Sequence, residues 1–305
     1  MRLWGTFVLG ALLSFATLSR SGFAVEVAIT IDDLPIHEAK TKRISRLEVA
    51  QTMIEAFRKH GLPPVYGFVN GITAEKNSVG GQILQAWVAA GHKLGNHTFS
   101  HLNLNSVALK RYLEDIEKNE AILKEYAHGE EYRIFRYPYL IEGGTRIKRS
   151  GVREYLAEKG YQIAQVTIDF NDFLWNAPLA RCLKQKNWNE IKKLKKSYIK
   201  AATEQFRLAQ TVSQKVFGRQ IRHILLIHIG TLNALAMDDL IAALKLEGAT
   251  FIDLPTAMDD EVYSIDPDLV FSGGVNFLDQ IVLKRRLKLP LHWRIPTQQL
   301  EETCK

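Results

Sequence analysis

From residue 25 onward the chain alternates short runs of β-branched and apolar residues with longer stretches whose apolar positions recur at helical spacing. That alternation is the signature of strands and helices interleaved around a parallel sheet or barrel. Strands are predicted at 27–31, 65–69, 163–167, 224–227 and 250–252, and helices at 46–60, 81–90, 107–126, 152–159, 189–217 and 238–246. Gly61, Gly91, Gly129, Gly160 and Gly248 punctuate this pattern as helix stops, where a left-handed residue closes the last turn.

No internal repeat and no low-complexity linker divides the pattern, so residues 25–305 are read as one α/β domain. Two regions depart from strict alternation. A helical insertion at about 176–222 is rich in lysine, and the tail at about 261–305 is less regular, with a Gly273-Gly274 turn signal and a weakly structured end at 290–305. Between Arg181 and Lys200 the insertion carries eight bases against the single acid Glu190. Trp188, Ile191, Leu194, Tyr198 and Ala202 form an apolar stripe that can dock on the barrel while the lysines face outward. Such a face is either simply solvated or a basic rim that attracts a polymer bearing carboxylates.

The N-terminus has a different character. Arg2 precedes an uncharged apolar run at 3–18, and Gly22 and Ala24 occupy the −3 and −1 places of a cleavage site. The run is 16 residues long, whereas a spanning helix needs about 20. Residues 1–24 are therefore expected to be a cleaved signal peptide, and the mature protein to be secreted or periplasmic without stable membrane insertion. Cleavage removes Arg2 and Arg20 and no acid, which takes the formal charge from +7 to +5. That mild excess, with no nucleic-acid motif, gives no reason to expect a nucleic-acid partner. At 46% hydrophobic and 24% charged residues, the 305-residue chain can bury one large core. Cys182 and Cys304 are free to pair in an oxidising compartment, but two cysteines exclude a disulfide-built scaffold. Whether they approach one another is open at this point.

Two local patterns carry chemistry. His97 and His101 are four residues apart, a spacing that on a helical turn puts both imidazoles on one face, within reach of one cation. Asp32-Asp33 follow the first predicted strand, at the strand end where parallel α/β architectures gather active-site groups. One acid can supply a third metal ligand and leave the other free for proton transfer. His92 lies off the face of the histidine pair and is expected to pack, and His37, His60, His128, His223 and His292 show no partner pattern.

These residues, taken with three further segments, resemble the polysaccharide deacetylases of carbohydrate esterase family four, the NodB-like enzymes. Thr30-Ile31-Asp32-Asp33 is similar to the family's Thr-Phe-Asp-Asp, and His97 to His101, led in by Gly91-His92-Lys93-Leu94-Gly95-Asn96, to its His-Ser/Thr-x-x-His. Arg136-Tyr137-Pro138-Tyr139 resembles Arg-x-Pro-Tyr, the segment 169–173 resembles Asp-x-x-Asp-Trp, and Leu226-Ile227-His228 resembles Leu-x-His. All five occur in family order. Ile31, Leu140 and Phe173 stand where phenylalanine, glycine and tryptophan are usual, and Trp175 is a candidate to fill the place of that tryptophan against substrate.

The resemblance implies a distorted (β/α) barrel of about seven strands with its site at the strands' C-terminal ends. It implies zinc, or another divalent transition metal, held by Asp33, His97 and His101. Asp32 is then the base and His228 the acid, with Arg136 orienting Asp32 and Asp172 supporting His228. The Tyr139 backbone would bind the oxyanion, and Leu226 would line the acetyl pocket. The expected reaction is hydrolysis of the N-acetyl group of an amino-sugar polymer, with peptidoglycan the first choice of partner. A hydrolase of a non-sugar amide and a carbohydrate-binding pseudoenzyme are the rivals. Retention of the polar residues in all five motifs argues against the second.

Overall fold

The computed structural model describes residues 24–37, 44–75, 78–290 and 295–305. All but Ala24 of the expected signal peptide lies outside these residues. Among the described residues no helix is long and apolar enough to cross a membrane.

Among the described residues seven strands form one parallel sheet: β1 (Val25–Leu34), β2 (Tyr66–Val69), β3 (Lys93–Asn96), β4 (Ile134–Phe135), β5 (Gln162–Ile163), β6 (His223–His228) and β7 (Ala249–Phe251). Their order is β5-β4-β3-β2-β1-β6, with β7 pairing the first residues of β1. The sheet curls back on itself through the segment after β5. Ala164 donates to Phe135 of β4 at 2.8 Å, and three residues later Thr167 donates to Ile224 of β6 at 3.0 Å. Ile168 then bridges Leu225. The single strand predicted at 163–167 is thus divided between two neighbours, and this seam makes the distorted barrel.

Around the barrel run α1 (Arg46–His60), α2 (Gly71–Glu75), α3 (Ser78–Ala89), α4 (Leu109–Tyr126), α5 (Arg146–Glu158), α6 (Asn176–Gln185), α7 (Trp188–Phe217), α8 (Thr231–Leu246), α9 (Leu254–Met258), α10 (Phe277–Lys284) and α11 (Thr297–Glu302). The start of α1 is written locally. The Ser45 side chain accepts from the Glu48 N–H while Glu48 reaches back to the Ser45 N–H, and Gly61 closes the helix at φ 64°. Two strands escape the hydrophobic pattern. β3 reads Lys-Leu-Gly-Asn, and its Gly95 is required because a Cβ there would sit 2.6 Å from the Phe68 ring. β4 is only two residues long. α8 begins seven residues before its predicted start, because its first two turns are mostly buried, including the polar Thr231 and Asn233, rather than amphipathic.

The inserted helix α7 is 30 residues long and packs on α6, α8 and α10. Leu194, Tyr198 and Ala202 are buried as the stripe predicts, and the stripe continues through Phe206, Ala209 and Val212. At the start of the helix the stripe is less buried: Trp188 is 55% exposed and Ile191 half-buried. The lysines face outward, and Lys193 and Lys195 pair with Glu190 and Asp239. The C-terminal end is better anchored than its sequence suggests. Cys182 and Cys304 form a disulfide, and Arg181 on α6 donates to the carbonyls of Leu300, Glu301 and Thr303.

Candidate metal and acid–base site

At the mouth of the barrel β1 breaks its own alternation. Side chains of successive strand residues point to opposite faces, so a regular β1 would separate Asp32 from Asp33. The pairing with β2 shifts between Ile31 and Leu34, and Asp33 adopts a left-handed φ of 63°. An irregularity of this kind re-aims a side chain. Both carboxylates consequently face His97: its Nε2 lies 3.4 Å from Asp33 Oδ1 and 3.9 Å from Asp32 Oδ2.

The histidine pair is not helical, contrary to its spacing. His97 follows β3, and the chain turns through left-handed residues at Thr98 and His101. Buried side chains hold this turn where regular hydrogen bonds are missing. Asn70 Nδ2 donates to the His97 and Thr98 carbonyls at 2.7 and 3.2 Å, Asn96 Oδ1 accepts from the Thr98 N–H, and Asp115 accepts from the Ser100 N–H. The outcome is the one the spacing suggested by another route, two imidazoles with ring centroids 5.0 Å apart.

The donor set fits a cation. His97 Nδ1 lies 2.8 Å from the Arg136 carbonyl, which can only accept, so in the neutral ring Nε2 is left as a bare acceptor. Nε2 of His101 lies 3.2 Å from Asp33 Oδ1. Burial, then the neighbouring His97, push His101 down to about 4 against the attraction of Asp33, so its ring is neutral at ordinary pH. Asp33 Oδ1 is buried with no hydrogen-bond partner. Burial opposes its charge, but His37 and His97, then His101 and His228, hold the Asp33 carboxyl well below the usual range. A buried carboxylate oxygen facing lone pairs is costly unless a positive charge lies between them. Two ligands about 2.1 Å from one tetrahedral ion sit roughly 3.4 Å apart, close to both separations.

Each remaining polar residue has its own support. Arg136 is buried and held at both ends, its Nε donating to the Ala164 carbonyl at 2.7 Å and its Nη2 to Thr30 Oγ1 at 3.2 Å. Its Nη1 approaches the Asp32 oxygens at 3.4 and 3.5 Å. On the far wall His228 Nδ1 meets Asp172 Oδ1 at 2.7 Å. Asp172 Oδ2 accepts from the His228 backbone N–H at 2.8 Å and from Asn233 at 2.6 Å. Burial alone would lower His228. Attraction and hydrogen bonding to Asp172, then the charges of Asp33 and Asp32, outweigh it and push the ring up to about 10. Since Nδ1 donates to Asp172, the imidazolium presents Nε2–H on the side of Asp33, whose Oδ2 is 4.0 Å away.

The site sits in a cleft of about 400 Å³. Residues 24–164 match the family model described as polysaccharide deacetylase. That stretch, a little under half of the chain, is similar to a polysaccharide deacetylase domain. The matched stretch holds Asp32, Asp33, His97, His101, Arg136 and Tyr139, and it ends before His228, which the fold brings to the same cleft, and before Asp172, buried behind that ring. The peptidoglycan-N-acetylglucosamine deacetylase of Bacillus cereus is 25% identical over 239 residues, covering 76% of this chain and 67% of that protein. Among solved structures, the chitin deacetylase of Colletotrichum lindemuthianum aligns with a TM-score of 0.54 at 20% identity, over 78% of this chain and 88% of that one. A family-four pseudoenzyme from Bacillus anthracis aligns at 0.51 and 17% identity, over 78% and 66%. These two likenesses are of fold.

The walls of the cleft differ from expectation in three places. Trp175 does not line it. The indole is fully buried, donates to Ser197 Oγ at 2.8 Å and packs edge-on against Tyr198, because the turn Asp172–Trp175 points it inward. Phe173 supplies the exposed ring instead, edge-on to His228 at 5.7 Å, opposite Tyr139, which packs on His101 at 4.3 Å. Leu226 is among the residues that line the cleft. The tail forms a wall that no motif announces: a Cβ on Gly274 would lie 1.9 Å from the Tyr139 carbonyl oxygen, and Val275 donates to the Leu140 carbonyl. The third surprise is His37, whose Nδ1 is 2.5 Å from Asp33 Oδ2. By contrast His92 packs against Phe57 and Trp87, as expected.

Proposed function

We propose that this protein is an exported, metal-dependent deacetylase that hydrolyses the N-acetyl group of an amino-sugar polymer. The observation that carries the reading is the unpartnered, buried Asp33 Oδ1 faced by two imidazole nitrogens, with a second acid and a protonated histidine beside it. Asp33, His97 and His101 would hold the ion, and zinc suits a mixed imidazole and carboxylate set. Bound there, a divalent ion supplies Lewis-acid polarisation of the acetyl carbonyl and of the attacking water.

The chain's own residues do the rest. Asp32 takes the proton of the attacking water, and Arg136, fixed by Ala164 and Thr30, keeps that carboxylate aimed. His228 delivers its Nε2 proton to the leaving amine, and Asp172 keeps Nδ1 protonated so that only Nε2 can do so. Developing negative charge on the carbonyl oxygen is met by the Tyr139 backbone N–H. Leu226 receives the acetyl methyl, while Phe173 and Tyr139 offer ring faces and edges to sugar.

Peptidoglycan is the first substrate to test, in keeping with the Bacillus cereus relative, and chitin-like oligomers come next. Export is supported by the N-terminal segment and by the Cys182–Cys304 disulfide, which persists in oxidising compartments. The experiment is acetate release from peptidoglycan, chitooligomers and an acetylated exopolysaccharide, with and without chelator. Asp32→Asn should lose turnover yet keep its metal, whereas His101→Ala should lose the metal itself. Acetate release that survives complete metal removal refutes the reading, as does equal metal loss in the two variants.

A further inference from the structure

His37 lies four residues past Asp33, where the chain leaves β1, and none of the five motifs includes it. We propose that His37 is a positioning residue of the metal centre: it holds the second oxygen of Asp33 so that Asp33 offers only Oδ1 to the ion. The proposal rests on the metal reading above.

The geometry divides the two oxygens of Asp33 between two tasks. Oδ1 faces His97 and His101 at 3.4 and 3.2 Å and has no hydrogen bond, whereas Oδ2 meets His37 Nδ1 at 2.5 Å. An ionised carboxylate only accepts, so His37 Nδ1 carries the proton and donates it. An Asp33 free at Oδ2 could swing to bind through both oxygens. That would fill a coordination position needed by water or substrate, since a catalytic site keeps a position open. The His37 ring is itself braced, lying 4.6 Å from the ring of His228, with its side chain only 23% exposed. One imidazole therefore touches both the ligand Asp33 and the acid His228, and joins the two halves of the site.

Asp33, His37 and His228 are also close enough together to suggest a second ion. Their spacing argues otherwise. Two ligands of one tetrahedral ion sit roughly 3.4 Å apart. Here Asp33 Oδ2 is 2.5 Å from His37, a hydrogen-bond distance, and 4.0 Å from His228. The Nδ1 of His228 is already committed to Asp172.

The test compares His37→Asn, whose amide nitrogen can reproduce the Nδ1 donor, with His37→Leu, which has the same branching and no donor. Zinc affinity is measured by competition with a chromophoric chelator, metal stoichiometry by elemental analysis, and coordination by the visible spectrum of the cobalt(II) form. The parent should bind one ion per chain. His37→Leu should weaken zinc binding about 10–100-fold and shift the cobalt spectrum toward higher coordination number, while His37→Asn should recover most of both. His37→Ala repeats the donor-free arm should the leucine variant not fold. A donor-free variant that binds zinc like the parent with the parental cobalt spectrum overturns the proposal. So does an asparagine variant no better than leucine, or a parent with two ions per chain of which the leucine variant keeps one. A parent that binds no ion, or keeps it in His97→Ala, overturns the metal reading itself and this proposal with it, and the two failures are told apart.

Discussion

Asp172→Asn separates charge from shape beside His228, the proposed acid. The Asp172 carboxylate is fully buried and accepts three hydrogen bonds, two of them from His228. Asparagine fills the same space but is neutral and can accept on one side only. His228 stands at about 10 because Asp172, ahead of Asp33 and Asp32, overcomes the burial that opposes its charge. With that leading contribution gone, burial carries the ring down to about its ordinary value of 6.5 or below. A raised histidine is protonated below its folded value and loses the proton as pH rises through it. At pH 8 a ring titrating at about 6.5 is only about 3% protonated, against nearly all in the parent, while at pH 5.5 both are largely protonated. The variant's loss in kcat/KM should therefore be about 30-fold greater at pH 8 than at pH 5.5, with the alkaline limb moved to lower pH. A cation beside Asp33 lowers the starting value in both proteins, so the displacement between the two profiles is the quantity to measure. Acetate release by the metal-loaded proteins from pH 5 to 10 supplies it. A loss of the same size at every pH refutes the reasoning and leaves Asp172 a packing role.

Three further outcomes are expected. His101 is neutral down to about 4, so dialysis at falling pH should leave the metal bound well below pH 6; release centred near 6.5 would show that the ring titrates normally. Asp279 is pushed up to about 7, by burial and then by Asp169, whereas the unfolded chain ionises near 3.8. Folding therefore takes up a proton in that window and stability falls as pH rises through it. The Tm of Asp279→Asn should accordingly gain on the parent between pH 4 and pH 8, and a constant difference would contradict this. Reducing the Cys182–Cys304 bond, which joins residues 122 apart, should cost about 2–4 kcal/mol in denaturant unfolding; an unchanged midpoint would mean that Arg181 and its neighbours anchor the tail alone.

Most of the scaffold and the polar heart of the cleft were legible because they are written locally. α1 announces itself through Ser45, Glu48 and Gly61, and His97, His101 and Asp32-Asp33 through their spacing. What was missed depends on contacts far apart in sequence. β3 forms because Gly95 lets Phe68 close in, not because its own residues favour a strand. The turn carrying His101 is held by Asn70 and Asp115, so the two imidazoles do come together, but by a local route other than the helix their spacing suggested. The choice between Phe173 and Trp175 as the exposed ring turns on Tyr198 and Ser197 of the inserted helix, which no motif includes. His37 carries a faint signal, a histidine four residues from a ligand, but no regular element fixes that separation in space.

The contact of Gly274 with Tyr139 bears on where the working unit ends. A fragment bounded by the motifs would stop soon after His228, and one bounded by the family match would stop at residue 164. A fragment cut just past α9 would retain all the proton-transferring and metal-facing side chains, yet it would lose the strip at 273–276 that presses on the Tyr139 carbonyl and the terminal helix fastened through Cys304. Its groove would be open along one flank. Under the proposed function such a fragment is expected to accept bulkier or branched glycans with less discrimination, because the strip at 273–276 that lies along the cleft comes from outside every motif.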